Sequence, residues 1–330
     1  MTPSRPKLAV YWAAACGGCE VSLLNLHDRL LQLADHFDLV YCPCLIDTKT
    51  DSIRNLPDQT IDVTLFNGAI RSSENEEMAH LLRRLSRVLV AFGSCAHEGC
   101  VPGLSNLHSR AEHFRDIFLA NPTLDNPGGL IPATASAPPW GELELPVFHD
   151  AVKTLSQAVP VDLVIPGCPP ESHRIAELLE LLAGSAAELP AGAVTGSGES
   201  TVCNECPRQR DGRKLAGFKR LHEVIPDPAW CLLEQGIVCR GVVTREGCGA
   251  LCPQVNMPCS GCYGAPDGME DQGAGLVSAL SGLLADPATA DTPATEQTDQ
   301  YRLAMSAVPD LAGTAYMYSL AASLLKGRRP

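Results

Sequence analysis

The sequence lacks the features of a membrane-spanning, exported or nucleotide-binding protein. No apolar stretch reaches the roughly 18 residues of a membrane helix, and the C-terminal run MYSLAASLL is short and followed by KGRR. The N-terminal stretch MTPSRPKLAV has no apolar signal segment and no twin-arginine motif. No Ser/His/Asp set, GxGxxG motif or P-loop appears, so the chain is not expected to bind nucleotide or flavin itself. We therefore predict a cytoplasmic protein without direct membrane insertion.

Positive charge is also scarce. The chain has 25 Lys and Arg against 38 Asp and Glu, which gives a formal net charge of -13. A surface of this sign repels nucleic acid and anionic membranes, so neither is expected as a partner. The 330 residues suit about two domains, and a hydrophobic content of 45% is enough for a sizeable core in the first half.

Cysteine, by contrast, is abundant: there are 15, mostly in close pairs. Three of them, Cys42, Cys44 and Cys100, stand outside a pattern of three sets of four. Four thiolates are what a cubane iron–sulfur cluster needs, because each of its irons takes one protein sulfur. The spacing therefore predicts an electron carrier with three clusters. The sets are Cys16, Cys19, Cys95 and Cys168; Cys203, Cys206, Cys231 and Cys239; and Cys248, Cys252, Cys259 and Cys262.

Disulfide bonds and structural zinc are alternative uses of so many cysteines. Disulfides suit a small secreted domain, but this chain has no secretory signal and an odd cysteine count. Zinc also takes paired cysteines, and the last two sets could fill two tetrahedral sites. The first set argues against zinc, because its members are remote in sequence and follow apolar runs rather than a ribbon hairpin.

Short apolar runs alternate with longer helical patterns through residues 1–183, which indicates a parallel sheet wrapped by helices. Residues 121–146 are rich in proline and are predicted to form an irregular excursion before the last strand. The predicted strands are Leu8–Trp12, Leu39–Tyr41, Val63–Phe66, Val88–Phe92 and Leu163–Ile165, and the predicted helices are Glu20–Leu33, Glu74–Ser86 and Ser172–Leu182.

Residues 184–200 are rich in small and turn residues and are predicted to be a linker. In the second domain, residues 201–330, the apolar periodicity largely fails. Such a segment cannot build a large hydrophobic core. Clusters that each bind several thiolates would cross-link the chain and stabilise its fold instead.

Each cysteine of the first set falls just after a predicted strand. Ligands of parallel sheets bind beyond the carboxyl ends of the strands, so these four positions are expected to converge on one sheet edge. The two glycines between Cys16 and Cys19 let backbone amides approach a cluster, and the following helix offers its N-terminus to an anionic centre.

Three motifs, CGGCE, GSCAHEGC and PGCPP, follow the first, fourth and last predicted strands and precede eight further cysteines. Together they resemble the small subunit of nickel–iron hydrogenases, and most closely the gamma subunit of the cytoplasmic methyl-viologen-reducing type. The resemblance spans roughly residues 7–265. It implies a flavodoxin-like, doubly wound α/β domain followed by an irregular iron–sulfur cluster-binding domain. It also implies hydrogenase activity as part of a complex, with nickel–iron chemistry in a separate large subunit and none in this chain alone.

The resemblance assigns the first set of cysteines to a proximal 4Fe-4S cluster, the second to a distal cluster and the third to a medial cluster. Cys203 stands where many periplasmic relatives have a histidine, which implies an all-thiolate distal cluster. Cys252 provides a fourth ligand that the medial 3Fe-4S centre of those relatives often lacks. Three 4Fe-4S clusters are therefore expected.

Two residues beside the proximal set are further candidates. Glu20, directly after Cys19, is a candidate proton relay between the subunits, and the alternative is an acidic residue that favours the first helical turn. His97 is a candidate for tuning the cluster by hydrogen bonding, and the alternative is an interface or core histidine.

Cys100 follows Cys95 by five residues, where oxygen-tolerant membrane-bound relatives carry one of two extra cysteines on a modified proximal cluster. The other extra cysteine would fall at Gly18, so that pattern is half met, with Cys42 or Cys44 as substitutes. The alternative is that all three spare cysteines are buried small hydrophobes.

The resemblance implies two partners: the nickel–iron large subunit, and an electron-accepting subunit of the 2Fe-2S, flavin or heterodisulfide reductase type. Two other interpretations stay open. A cluster subunit related to respiratory complex I shares the proximal domain but has adjacent cysteines and lacks the last eight. A zinc-bound interaction protein would contain zinc in place of iron.

Overall fold

A computed structural model of the chain describes residues 5–184, 190–284, 298–299, 302, 305–306, 308 and 310–326. These residues divide into two compact units. The first comprises residues up to Thr195 together with those from Leu320 onward, and the second runs from Gly196 to Ser319. The division falls within the predicted linker, although Ala193–Val194 of that stretch forms a strand of the sheet instead.

The first unit is built on a six-stranded sheet in which all neighbours are parallel, in the order Ala193–Val194, Leu163–Ile165, Ser86–Phe92, Ile61–Asn67, Lys7–Trp12 and Asp38–Tyr41. This is the doubly wound, flavodoxin-like order, and the five predicted strands are confirmed. The strands in chain order are β1 (Lys7–Trp12), β2 (Asp38–Tyr41), β3 (Ile61–Asn67), β4 (Ile70–Ser72), β5 (Ser86–Phe92), β6 (Ala135–Ser136), β7 (Leu143–Glu144), β8 (Phe148–Lys153), β9 (Leu163–Ile165) and β10 (Ala193–Val194).

The helices of this unit are α1 (Gly18–Leu24), α2 (Arg29–His36), α3 (Thr50–Arg54), α4 (Ser73–Leu85), α5 (Ser94–Glu98), α6 (Cys100–Gly103), α7 (Arg110–Phe114) and α8 (Ser172–Gly184). The predicted helices at Glu74–Ser86 and Ser172–Leu182 are confirmed as α4 and α8. The single helix predicted over Glu20–Leu33 is wrong, because His27 takes a left-handed φ of 52° and breaks the segment into α1 and α2.

Both faces of the sheet are apolar, because alternate strand residues point to opposite sides. In β1, Leu8 and Val10 pack on the face covered by α1, α2 and α8. Ala9 and Tyr11 pack on the other face with the buried side of α4. A core on each side fixes the sheet, and its carboxyl edge is then a rigid platform for the loops that follow the strands.

The excursion at residues 121–146 is largely irregular, as predicted, apart from the short pairing of β6 with β7. All six of its large apolar side chains are exposed, and Trp140 is 79% exposed. The other five are Leu124, Leu130, Ile131, Leu143 and Leu145.

The second unit is largely irregular, as predicted, and contains four short helices: α9 (Val202–Glu205), α10 (Leu251–Gln254), α11 (Gln272–Leu283) and α12 (Leu311–Tyr316). Strand-like pairing in its described residues is limited to isolated bridges such as Thr201 with Arg245. Across the described parts of both units, no helix is long and apolar enough to cross a membrane.

Candidate iron–sulfur cluster sites

The proximal set lies at the carboxyl edge of the sheet, where three of the four cysteines directly follow β1, β5 and β9. The chain reverses its strand order between β1 and β3, and such a switch point is where doubly wound sheets bind ligands. Burial raises the pKa of Cys19, and the neighbouring charges of Glu20, Cys95, Cys168 and Cys16 raise it further. The structure therefore brings these four remote cysteines into one electrostatic neighbourhood.

Two glycines beside the proximal set stand where the structure leaves no room for a side chain. Gly93 follows β5 with φ of 82°, and a Cβ atom there would collide with Cys19 Sγ. Gly17, between Cys16 and Cys19, has φ of 84°, and a Cβ atom there would lie 2.8 Å from the Trp12 ring. At both positions a side chain would be sterically excluded as well as strained.

Cys100 is a fifth thiol at the proximal set. It is buried, and its Sγ donates to Cys168 Sγ at 3.7 Å. Hydrogen bonds to Cys168 and Cys95, with burial, raise the pKa of Cys100, because they favour its protonated form. Cys42, by contrast, packs in the core beside α2, and Cys44 is exposed.

Glu20 has a partner that sequence reasoning missed. Asn67 ends β3, and its Nδ2 donates to both Glu20 carboxylate oxygens at 2.8 and 2.7 Å. Asn67 is fully buried, so the amide holds the carboxylate in place beside the proximal thiols. No local pattern in the sequence joins a residue of β3 to one of α1. His97 lies in α5 and is half-buried.

The distal set lines a single cavity. All four predicted ligands are in its walls, together with Arg208, Arg210 and apolar side chains such as Leu232. Burial raises the pKa of Cys203 to about 11, with added contributions from the Cys239, Cys231 and Cys206 charges and an opposing one from Arg210. The thiols thus face one another across a shared space.

The structure brings the four medial cysteines together less completely than the four distal ones. Burial raises the pKa of Cys259 to about 12, and the nearby charges of Cys239 and Cys248 contribute to the rise. Cys248 also packs at the edge of the small apolar cluster that contains Cys259. Cys252 lies exposed on α10, and Cys262 is half-buried.

The distal and medial sets are adjacent, and the buried Arg240 lies near both. No pattern in the sequence singles out this arginine. The Cys259 N–H donates to Cys239 Sγ at 3.3 Å, so the two sets are adjacent. Burial lowers the pKa of Arg240, while the charges of Cys259 and Cys239 oppose that shift. Its Nε is buried and has no hydrogen-bond partner among the described residues.

These features fit iron–sulfur clusters. In the described part of the chain, no three His, Cys, Asp or Glu side chains are close enough to hold one metal ion. A cluster is larger and takes one thiolate per iron, which suits four thiols around the walls of a cavity. A buried Arg240 N–H without an acceptor also suits an anionic group beside it.

Comparisons with known proteins agree with this fit. The profile of the family described as "NADH ubiquinone oxidoreductase, 20 Kd subunit" matches residues 16–182. The chain is 35% identical over 326 residues to the iron-sulfur subunit of the F420-non-reducing hydrogenase of Archaeoglobus profundus, with 97% of each covered. It is 37% identical over 276 residues to a vhu subunit of the F420-non-reducing hydrogenase of Methanocaldococcus jannaschii, covering 83% of this chain and 87% of that one.

Among solved structures, a chain of the NiFeSe hydrogenase of Desulfovibrio vulgaris Hildenborough aligns with a TM-score of 0.51 and 18% identity, covering 81% of this chain and 95% of that one. That likeness concerns the fold. The family profile ends before the last eight cysteines, whereas the iron-sulfur subunit of Archaeoglobus profundus matches across 97% of the chain. The chain therefore belongs to the NADH ubiquinone oxidoreductase 20 kDa subunit family and, within it, to the small subunits of nickel–iron hydrogenases of the F420-non-reducing type.

Proposed function

We propose that this chain relays electrons between the active site of a hydrogenase large subunit and a partner redox subunit, through three 4Fe-4S clusters held by the proximal, medial and distal sets. The observation that supports this most is the cavity whose walls contain all four distal cysteines. Bound clusters supply one-electron chemistry. The complex is proposed to be cytoplasmic, with an electron acceptor of the 2Fe-2S, flavin or heterodisulfide reductase type.

The chain's own residues bind the irons, exclude water and balance charge. Without metal, the raised pKa of Cys203 keeps that thiol protonated at neutral pH, so ligation must displace its proton. Cys19, Cys95 and Cys259 are buried, so water has little access to their sulfur atoms. Arg240 places a buried positive charge beside the distal and medial thiols, where it offsets the negative charge that the ligands acquire.

The cluster count is tested by metal analysis. The anaerobically purified complex is expected to contain about 12 iron and 12 sulfide from this chain, because three cubanes require four of each. Near four iron, or stoichiometric zinc, would overturn the three-cluster proposal and favour the complex I-like or zinc-bound alternative.

A redox titration of the same sample counts the oxidation steps of the proximal cluster. One step is expected for an ordinary cubane, and two steps are expected if Cys100 makes it a modified cluster.

Glu20 is proposed to carry protons at the proximal edge, in the position that Asn67 fixes. Glu20→Gln is expected to retain all iron but to slow H2/D⁺ exchange by the complex roughly 100-fold, since an amide cannot accept the proton. Glu74→Gln is the matched control, because Glu74 also lies in the first turn of a helix. Equal exchange rates in the two variants, with equal small losses of stability, would leave Glu20 as a helix-favouring residue only.

A further inference from the structure

Residues 208–220 are strongly basic in a chain that is otherwise acidic. They contain six Arg or Lys and one Asp, whereas the whole chain carries a net charge of -13. Arg208 is buried and structural, since its guanidinium donates to the carbonyl oxygens of Pro253, Asp227 and Trp230. The other five cations are exposed, and we call them the basic face: Arg210, Arg213, Lys214, Lys219 and Arg220.

The basic face borders the distal cysteines. Two isolated bridges, Gln209 with Trp230 and Lys219 with Ile237, pair this segment with the residues on both sides of Cys231. The Arg213 guanidinium lies 4.7 Å from the centre of the Trp230 ring. Arg210 lines the cavity that the distal thiols share. The exposed cations therefore lie beside the distal cysteines.

Nearby carboxylates offset this face only in part, because Asp211, Glu223 and Glu234 lie against it and leave two of its five positive charges in excess. The Glu234 carboxylate accepts the backbone N–H groups of Asp211 and Gly212, and Glu223 accepts the backbone N–H of Arg220. Asp211 pairs with Arg213. Within the described residues, no ion pair involves Arg210, Lys219 or Arg220. A surface with these free cations presents positive potential at the distal site.

Exposed apolar side chains adjoin the same segment. Ile225 is 95% exposed and Val255 is 72% exposed. Their two segments lie side by side, because Asn256 Nδ2 donates to the Pro226 carbonyl oxygen at 3.1 Å. Charged groups around exposed apolar residues are the composition of a transient protein interface, in which charge steers the encounter and apolar contact holds it.

We propose that the basic face docks an acidic redox protein, which receives electrons at the distal cluster. This inference rests on the proposed function. An acidic protein fits better than nucleic acid or a membrane, because a long polyanion or a lipid surface would also meet the net negative charge of the whole chain. A small protein feels mainly the local charges, since the field of exposed groups is screened within about 10 Å at 0.1 M salt.

Charge reversal in the assembled hydrogenase complex tests this. The probe is an acidic plant-type 2Fe-2S ferredoxin, and both its equilibrium binding and its H2-driven reduction are measured across a salt series. Lys219→Glu/Arg220→Glu is expected to weaken binding and slow reduction about tenfold or more at low salt, with the difference vanishing at high salt. Iron content and unfolding temperature show that the variant is assembled.

The matched control is Lys7→Glu/Arg29→Glu, which makes the same charge change at exposed positions of the first unit. Equal effects of the two double variants, or wild-type binding that does not fall with salt, would overturn the proposal. Wild-type binding to anionic vesicles or duplex DNA that the Lys219/Arg220 variant loses would also overturn it. A complex that binds ferredoxin but reduces no acceptor with H2 would instead refute the proposed function and leave the docking surface standing.

Discussion

Cys252→Ala is expected to convert the medial centre from a four-iron to a three-iron cluster, with the protein still folded. Cys248, Cys259 and Cys262 would remain as three ligands, and three thiolates suffice for a three-iron centre. The exposure of Cys252 on α10 makes its removal tolerable to the core. The expected readout is a new 3Fe-4S EPR signal in the oxidised complex, together with the loss of about one iron per chain, because each cubane iron takes one protein sulfur.

Cys44→Ala is the matched control for that experiment, because Cys44 is an exposed cysteine outside the three sets. It is expected to leave the EPR spectrum and the iron content unchanged. If Cys252→Ala also leaves the spectrum unchanged, Cys252 is not a ligand, and the fourth medial ligand lies elsewhere.

Gly93→Ala is expected to abolish the proximal cluster. The new Cβ would collide with Cys19 Sγ, and the backbone there has φ of 82° and donates its N–H to the Ile165 carbonyl oxygen at the end of β9. The thiol must move or the loop must open, and either change disrupts a four-ligand site. We expect iron content to fall by about four per chain and H2-driven reduction of any acceptor to be lost.

Gly192→Ala separates collision from backbone strain. Gly192 has φ of 77°, close to that of Gly93, but a Cβ atom there meets nothing within 4 Å. Its cost is therefore the conformational one alone, about 1 kcal/mol of stability. Retention of iron in both variants would show that the thiol at Cys19 is not confined as the structure indicates.

The proximal neighbourhood was predictable from sequence because two regular patterns coincide there. Short apolar runs located the strands, and parallel topology then placed whatever follows β1, β5 and β9 on one edge. Cys95 and Cys168 are far apart in sequence, yet both follow a strand directly. No comparable rule exists for the second unit, where chain path depends on individual turns, so the cysteine spacing predicted the sets but not their surroundings.

Several functional neighbours were missed because tertiary packing alone brings them to the site. Asn67 lies at the end of β3 and donates to Glu20, which lies on α1. Arg240 is buried, and its sequence position beside Cys239 does not reveal that burial. The break at His27 was missed because helical periodicity continues across it while a single left-handed residue ends the hydrogen-bond ladder. β10 was missed because Ala193–Val194 is too short to show alternation.

The excursion of residues 121–146 also bears on how the chain is made. Six large apolar side chains, Trp140 among them, are exposed in this segment, and apolar side chains exposed to water favour self-association. We therefore expect the chain produced alone to aggregate more readily than a chain whose excursion is covered by another protein. Production together with a protein that covers this segment is then expected to raise the soluble yield of the chain.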